Sequence, residues 1–456
     1  MATWLKILIQ KLGKSRVSID PKILEIHAKD AWFASHRPEA VVFADSTATI
    51  SKTLQFANRH KIPVTARGAG RGYVGGCVPQ RGGIVLSLAR MNRIKELHVE
   101  DGIAVVEPGV ITGDLQEAAK KKGLFYPPDP ASLKECTLGG NLATNAGGPR
   151  CLKYGVTRHY ILGLTIVLAD GSVVKVGSRT MKNKSGFDLV GLFVGSEGML
   201  GIVSEITVRL LPLPTHRGAL SASFTTAQHA AKAVQTILQK GILPSALEIA
   251  DRFTLEAARS HLGKNKLIPP GKAHLLIEVD GNRASVQNDL KRLTQIVKQC
   301  QALQIITAET EQECEKLWEL RRQFSQSLKA TGLTKLNEDI AIPRSRLIDL
   351  FAFAEKLHRR YQIPVACFGH AGDGNIHVNL MVDLSTRGIS KKMNQALDEL
   401  FHQVLAWDGV ITGEHGIGLA KKRWWPKAAS RELRALHAKI KKVLDPYDLL
   451  NPGKFV

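Results

Sequence analysis

Phe368-Gly-His-Ala-Gly-Asp-Gly-Asn-Ile-His-Val-Asn-Leu380 is the stretch on which the reading of this chain turns. Before it, Ile363-Pro-Val-Ala-Cys-Phe368 has the apolar content of a strand, and after it Ile376, Val378 and Leu380 alternate with His377, Asn379 and Met381 at period two. Gly372-Asp-Gly-Asn375 supplies a turn between them. The stretch therefore predicts an antiparallel hairpin in which His370 and His377 stand opposite each other on one face, about 5 Å apart at Cβ and within reach of one metal ion. Asn379 shares that face. A lone histidine would read as a surface or satisfied core residue; a pair across a Gly-Asp-Gly turn points to ligands.

A second cluster, Gly413-Glu-His-Gly-Ile-Gly418, sets a carboxylate beside an imidazole between glycines. A strand would send these neighbours to opposite faces, but glycine-permitted turning lets both face one cavity. His370, His377 and Glu414 then form a three-ligand set with open positions, the arrangement catalytic metals use, and His415 is left to act as a base.

The 456 residues, 44% hydrophobic and 23% charged, are ordinary for two or three globular domains. No apolar run approaches the ~18 residues of a spanning helix, and the start, Met1 to Leu12, has too weak a charge region and no cleavage site for a signal peptide. The six cysteines, at 77, 136, 151, 300, 314 and 367, show no Cys-x-x-Cys spacing, which argues against zinc knuckles or iron–sulfur ligation and for reduced thiols in a cytoplasm. The net charge of +22 fits an anionic membrane surface, an acidic protein partner or a solvated basic surface, and draws in small anions. No nucleic-acid motif accompanies it.

Outward from the hairpin, residues 1–37 read as a peripheral helical segment, followed by the strand Pro38 to Phe43, a helix from Ser46 to Asn58 with Ser46 or Thr47 as cap, and the strand Ile62 to Ala66. That strand feeds Arg67-Gly-Ala-Gly-Arg-Gly-Tyr-Val-Gly-Gly76, which has neither Walker nor Rossmann spacing. Its consecutive glycines uncover backbone N–H groups and let the chain wrap an anion such as a pyrophosphate, although a plain surface loop reads equally well from the spacing. Pro127-Pro-Asp-Pro-Ala-Ser132 and the loop Cys136 to Gly148 follow, then a hairpin about Asp170-Gly171 and the strand Glu205 to Leu210. From about residue 216 the pattern becomes strand, helix, strand, helix, which predicts an α+β unit of ferredoxin-like type.

Taken as a set, Arg67-Gly-Ala-Gly70 with Gly75-Gly76, Pro127-Pro-Asp-Pro130, Thr137-Leu-Gly-Gly140, Asn145-Ala-Gly-Gly148, Lys153-Tyr-Gly155 and Gly195-Ser-Glu-Gly198 resemble the FAD-binding domain of the vanillyl-alcohol-oxidase or p-cresol-methylhydroxylase (PCMH) type. With His370, His377, Gly413-Glu-His415 and Asn451-Pro-Gly-Lys454, the chain resembles the FAD-linked D-2-hydroxyacid dehydrogenases, the D-lactate dehydrogenase and glycolate oxidase flavin subunit type, over residues 38–456.

That resemblance implies an α+β protein: a two-lobed PCMH-type FAD domain at 38–215, a ferredoxin-like substrate cap at 216–405 and a return to the FAD domain at 406–456. It implies that Arg67, Gly68, Ala69, Gly70, Arg71, Gly72 and Gly75, with Pro130, Ser132, Thr137, Gly139, Gly140, Asn145, Gly147 and Gly148, hold FAD, chiefly at the pyrophosphate. Glu197, Gly201 and Ile202 would lie along the adenosine half, and Asn451 would cover the site. Arg71 stands where the group carries Thr and covalent relatives carry a flavin-linking His, so the FAD is expected to be noncovalent, with an added phosphate contact as one role for the arginine. The Leu-Trp-x-x-Arg pattern falls on Leu317, Trp318 and Arg321, which makes Arg321 the substrate carboxylate ligand, a task suited to a bidentate fork. Lys335 is a second substrate candidate.

The reaction so implied is oxidation of a D-2-hydroxy acid, D-lactate or glycolate foremost and D-2-hydroxyglutarate as an alternative, by hydride transfer to flavin, with Zn, Mn or Fe on His370, His377 and Glu414, His415 as base, and Arg321, Lys335 and Asn379 about the substrate. Electrons would leave to a quinone, a cytochrome or a partner subunit. The expected setting is the cytoplasm, with the inner face of the membrane as an open alternative. The rival readings are a metal-dependent hydrolase, which flavin absorbance would exclude, and a flavin subunit active only with its partners.

Overall fold

Leu5, Leu8 and Leu12 recur at helical spacing, and helix α1 (Thr3–Leu12) buries all three in a core shared with Ile50, Leu54 and Ile84. The computed structural model describes residues 2–263 and 268–456. The N-terminal segment is thus part of the fold and not peripheral to it. Strand β1 (Val17–Ser18) pairs antiparallel with β2 (Ala40–Phe43), and between them helix α2 (Pro21–Ile26) opens with proline and an Asp20 cap on Lys22 N–H. Helix α3 (Thr47–His60) begins as its sequence predicts, with the Ser46 side chain accepting from Thr49 N–H. Strands β3 (Val64–Arg67) and β4 (Ile84–Ser87) run parallel to β2, giving a sheet of order β1-β2-β4-β3. β4 is buried along its whole length, as a central parallel strand should be.

The next lobe is an antiparallel sheet. Strands β5 (Ile94–His98) and β6 (Ile103–Val106) lead through helix α4 (Thr112–Lys120), β7 (Leu124–Phe125), and helices α5 (Leu138–Thr144) and α6 (Cys151–Tyr154) to β8 (Ile161–Val167) and β9 (Val173–Gly177), and then through α7 (Leu189–Phe193) to β10 (Ile202–Arg209) and β11 (Leu211–Pro212). The order is β5-β6-β10-β8-β9, with the Asp170-Gly171 hairpin in place. Among the elements that escape the sequence reading, two have a physical reason. β5 has no buried side chain, and α5 lies inside a glycine cluster whose intrinsic propensity opposes a helix. α5 forms because Thr137 caps Gly140 N–H and Asn145 ends the helix in the left-handed region at φ 52°.

By its contacts the chain divides into two compact units, one comprising the residues up to Gly147 with Val156–Leu213 and Glu414–Val456, the other Gly148–Gly155 with Pro214–Gly413. In the second unit β12 (His216–Phe224), α8 (Ala227–Gln239), β13 (Ala246–Ala250), α9 (Arg252–Leu262), β14 (Ala273–Gly281), α10 (Arg283–Gln299) and β15 (Gln304–Ala308) give the strand order β15-β12-β14-β13. This is the ferredoxin-like order with α9 added between its second and third strands. Helix α11 (Glu311–Lys329), closed at its start by a Thr310–Glu313 capping box, then leads to β16 (Thr334–Ala341), α12 (Leu347–Tyr361), β17 (Val365–His370), β18 (Asn375–Val382) and α13 (Ile389–Ala406). β17, β18 and β16 extend the sheet beyond β13 to seven antiparallel strands. Helices α9 and α11 bury Leu255, Phe324 and Leu328 against Ala250, Ala366, Phe368 and Met381 on one sheet face; α8, α10 and α12 contact one another over the other. Helices α14 (Trp425–Ala428) and α15 (Arg431–Leu444) belong to the first unit.

Candidate flavin loops and catalytic face

The loop after β3 is built from backbone. From Gly68 to Val74 the peptide N–H groups donate no hydrogen bond among the described residues, which leaves a continuous run of donors of the kind that cradles phosphate oxygens. The N-terminal segment shapes this run: Arg67 Nη1 donates to Lys29 O at 2.6 Å and to Cys77 Sγ at 3.3 Å, and Ala31 N–H donates to Gly72 O. The Arg67 guanidinium is therefore a clamp on the loop's outer side. Arg71 makes an exposed ion pair with Glu135 at 2.7 Å, a contact of little energetic weight. Gly70 and Gly75 have φ of 69° and 71°, which an L side chain resists.

The second loop touches the first through absent side chains. A Cβ on Gly68 would run into Thr137 Oγ1, and one on Gly139 would meet Pro108 Cβ at 2.7 Å. The N–H groups at the start of α5 are already spent: Gly139 donates to Pro108 O and Gly140 to Thr137 Oγ1. Asn145 Oδ1 accepts from Arg158 N–H, Pro130 and Ser132 carbonyls accept from Leu133 and Cys136, and Gly147 follows in the same unit. Gly201 is required by Ile166 Cγ2, which a Cβ would meet at 2.6 Å, and Ile202 lies in the core.

Glu197 locks the C-terminal return. Its buried carboxylate accepts from Ile417 N–H at 2.7 Å and Gly418 N–H at 2.9 Å, while its carbonyl accepts from Asn451 Nδ2, which also donates to Gly76 O. Burial raises the Glu197 pKa, and the two N–H donors oppose that rise. Glu414 and His415 thus sit directly before an anchored turn, with His415 Nε2 3.8 Å from Glu414 Oε1 and its ring 5.4 Å from that of Tyr73.

In the second unit the polar residues fall on one sheet face. Register places Lys335 opposite Met381, Asn337 opposite Asn379, Asp339 opposite His377 and Glu248 opposite His370. The hairpin register differs from the expectation: His377 pairs with Phe368 and His370 with Asn375, so the two histidines are diagonal neighbours and not opposite one another. The reason is a turn shifted one residue upstream, spanning 371–374 with Gly374 at φ 82°. They still share a face. Their rings meet edge-on with centroids 5.6 Å apart, and a ligating nitrogen of each comes within 4.8 Å of the other's.

The surrounding side chains fix these rings. His370 Nδ1 bonds Glu248 Oε1 at 2.6 Å, and Glu248 Oε2 accepts from Arg321 Nε at 2.6 Å. Burial would raise the Glu248 pKa, but the His370 and Arg321 charges outweigh it and hold the carboxyl well below its usual range. Arg321 also lies 4.9 Å over the Phe368 ring. Lys335 donates to Ser325 Oγ at 2.8 Å, one helical turn from Arg321; burial, then Lys329 and Arg321, lower its pKa to about 8. Asn379 donates to the Ala366 and His377 carbonyls and keeps a buried Oδ1 without a partner. Asp339, wholly buried, accepts from Asn375 Nδ2, Thr412 Oγ1 and Gly413 N–H, which ties the hairpin to the peptide that precedes Glu414.

Glu248, Asp339 and Tyr73 are the residues that sequence reasoning missed. Asp339 had a signal, since Asn337-Glu-Asp339 puts acids in a strand; Glu248 looked like an ordinary alternating residue of Ala246-Leu-Glu-Ile249.

The chain is a flavoprotein of the PCMH fold. p-Cresol methylhydroxylase with substrate bound superposes with a TM-score of 0.80 at 19% identity, covering 100% of this chain and 97% of the other, and alkyldihydroxyacetonephosphate synthase with 0.76 at 17%, covering 98% and 86%. Residues 38–177 match the FAD binding domain and residues 213–455 the C-terminal domain of FAD linked oxidases. The chain is 40% identical over 418 residues to glycolate oxidase subunit GlcD of Bacillus subtilis (strain 168), covering 91% of this chain and 88% of that protein, and 32% identical over 456 residues to D-lactate dehydrogenase of Anaerostipes hadrus, covering 98% and 95%. It belongs to the FAD-linked oxidases and is an FAD-dependent oxidoreductase.

Proposed function

We propose that the protein oxidises a D-2-hydroxy acid, D-lactate or glycolate, to the 2-keto acid. The observation that carries this reading is the sheet face on which two cations, Arg321 and Lys335, lie with two metal-type imidazoles, His370 and His377. Cations suit a carboxylate, and a metal-supported pair suits the hydroxyl beside it. The names of the glycolate oxidase and D-lactate dehydrogenase relatives agree. The donor set fits a divalent ion, Zn, Mn or Fe: His370 is oriented through Nδ1 by a carboxylate, as metal-ligating histidines usually are, and Glu414, one peptide beyond the Asp339-anchored Gly413, is the third ligand.

The Gly68–Val74 donors would hold FAD noncovalently, and FAD would supply the hydride acceptor; His370, His377 and Glu414 would hold a divalent ion that would supply positive charge for the substrate. Arg321 forks the carboxylate and Lys335 supplements its charge. His415 takes the hydroxyl proton as the Cα hydride leaves, so that one hydride and one proton account for the change to the keto acid. The stretch Gly413–Gly418 that carries it is pinned at its start by Asp339 and at its end by Glu197.

The cysteines show no Cys-x-x-Cys spacing for an iron–sulfur cluster, which supports an electron acceptor outside the chain: a quinone, a cytochrome or a partner subunit. No helix among the described residues is long and apolar enough to cross a membrane. A cytoplasmic setting, in solution or at the membrane's inner face, rests on the cysteine pattern expected of reduced thiols.

The test is metal analysis and stopped-flow flavin reduction on the same preparations. His415→Ala keeps FAD and metal while reduction slows about 10²–10⁴-fold. His377→Ala and Glu414→Ala lose metal along with rate. Metal lost from His415→Ala but kept in Glu414→Ala would exchange the two roles, and parent rates in all three would move the site elsewhere. Flavin bleaching by L-acids alone would overturn the stereochemistry.

A further inference from the structure

Glu248 enters the reading above only as the carboxylate on His370 Nδ1, yet the site is arranged about it. It is 1% exposed, lies on β13 at the register position opposite His370, and divides its two oxygens between the two kinds of residue the reaction needs. Oε1 takes His370 Nδ1 and Oε2 takes Arg321 Nε, each at 2.6 Å. An imidazole that donates through Nδ1 presents Nε2 as a lone pair, the tautomer a metal requires. An arginine held through Nε keeps its terminal nitrogens for a forked contact, and these make no hydrogen bond among the described residues.

We infer that Glu248 is a positioning residue that couples the two halves of the site, fixing the tautomer and ring angle of His370 for the metal and the plane of Arg321 for the substrate carboxylate. The inference rests on the proposed function and deepens it: metal affinity and substrate affinity become linked through one carboxylate.

The same sheet face holds a control. Glu278 on β14 is also 1% exposed and also neutralises arginine, accepting from Arg217 Nη1 at 3.5 Å and Arg150 Nε at 3.4 Å. Its remaining strong donor is Trp318 Nε1 at 2.7 Å, an indole with no metal chemistry. If Glu248 served only to neutralise a buried arginine, replacing either glutamate would have the same kind of effect.

The experiment compares Glu248→Gln with Glu278→Gln in the FAD-containing protein, measuring affinity for Zn²⁺ and Mn²⁺ by chelator competition, affinity for oxalate by perturbation of the flavin spectrum, and Tm. The amide cannot accept from both donors, so Glu248→Gln weakens metal binding about 10–100-fold and weakens oxalate binding with it; Glu278→Gln lowers Tm and leaves both affinities at the parent value. Glu248→Asp, which keeps the buried charge but is one methylene too short to span both donors, serves if the amide variant does not fold, with the same two losses expected. A parent protein that binds no metal sinks the proposed function and this inference together. A parent that binds metal, with Glu248 variants binding it and oxalate equally tightly, sinks the inference alone.

Discussion

The flavin loops of the first unit and the polar face of the second are built on opposite principles. In the loops the side chains serve to fix the backbone: Arg67 grips Lys29 O, Glu197 grips Ile417 and Gly418, and Asn451 joins Gly76 to Glu197. What the loops offer a cofactor is bare backbone. On the sheet face the backbone is consumed by the ladder, and everything chemical is side chain, set two residues apart by strand period and crossed by α11. A backbone site should tolerate loss of a side chain and fail on gain of one; a side-chain site should behave in the reverse way.

The largest effect that follows is on the loops. Gly68→Val places a branched side chain against Thr137 Oγ1, with Gly140 of α5 behind it, and overpacking of this kind costs about 1–3 kcal/mol. If the loop parts from α5 to accept it, the row of donors is dismantled, and FAD affinity falls by more than about 100-fold. Arg71→Ala, which removes an exposed ion pair, should change FAD affinity by less than about fivefold. The protein is titrated with FAD after the flavin is stripped. Equal losses in the two variants would mean that side chains, and not backbone, hold the cofactor.

Next in size is the side-chain site. If Arg321 holds the substrate carboxylate as proposed, Arg321→Met should raise KM about 10–100-fold, the range of a charge-assisted hydrogen bond, while FAD affinity stays at the parent value. An unchanged KM would move carboxylate recognition off this face.

The same division explains what the sequence could disclose. Glycine runs and period-two alternation are local signals, so the hairpin and the ferredoxin-like strands were legible from spacing, while the glycine loops read equally well as surface loops until the resemblance supplied a role. Register was less legible. A turn beginning at Ala371 instead of Gly372 moves His377 from opposite His370 to opposite Phe368, and nothing local decides between the two. Glu248 was illegible, and Asp339 showed only as an acid in a strand, because their meaning lies in residues 122 and 74 positions away, His370 and Gly413. Helix α5 was hidden by its own composition, since its stability comes from the Thr137 cap and the close approach to Pro108 that glycine allows.

The smallest effect is a pH dependence that separates the two cations of the sheet face. Arg321 stays charged at any working pH, but burial, with the charges of Lys329 and Arg321, brings the Lys335 ammonium down to about 8. A lysine whose pKa is lowered carries its charge below that value and loses it above, so the substrate carboxylate meets two cations near pH 7 and one near pH 9. The ratio kcat/KM, which reports the free enzyme, should therefore fall across an alkaline limb centred near 8. The fall is limited, since Arg321 remains: under about tenfold, the weight of one partly solvated contact. Lys335→Gln should start at the lower level and lack the limb, whereas Lys335→Arg should restore the charge and hold the rate flat through pH 9. A limb that persists in Lys335→Gln would assign it to another group, and the sheet face would then address the carboxylate through Arg321 alone.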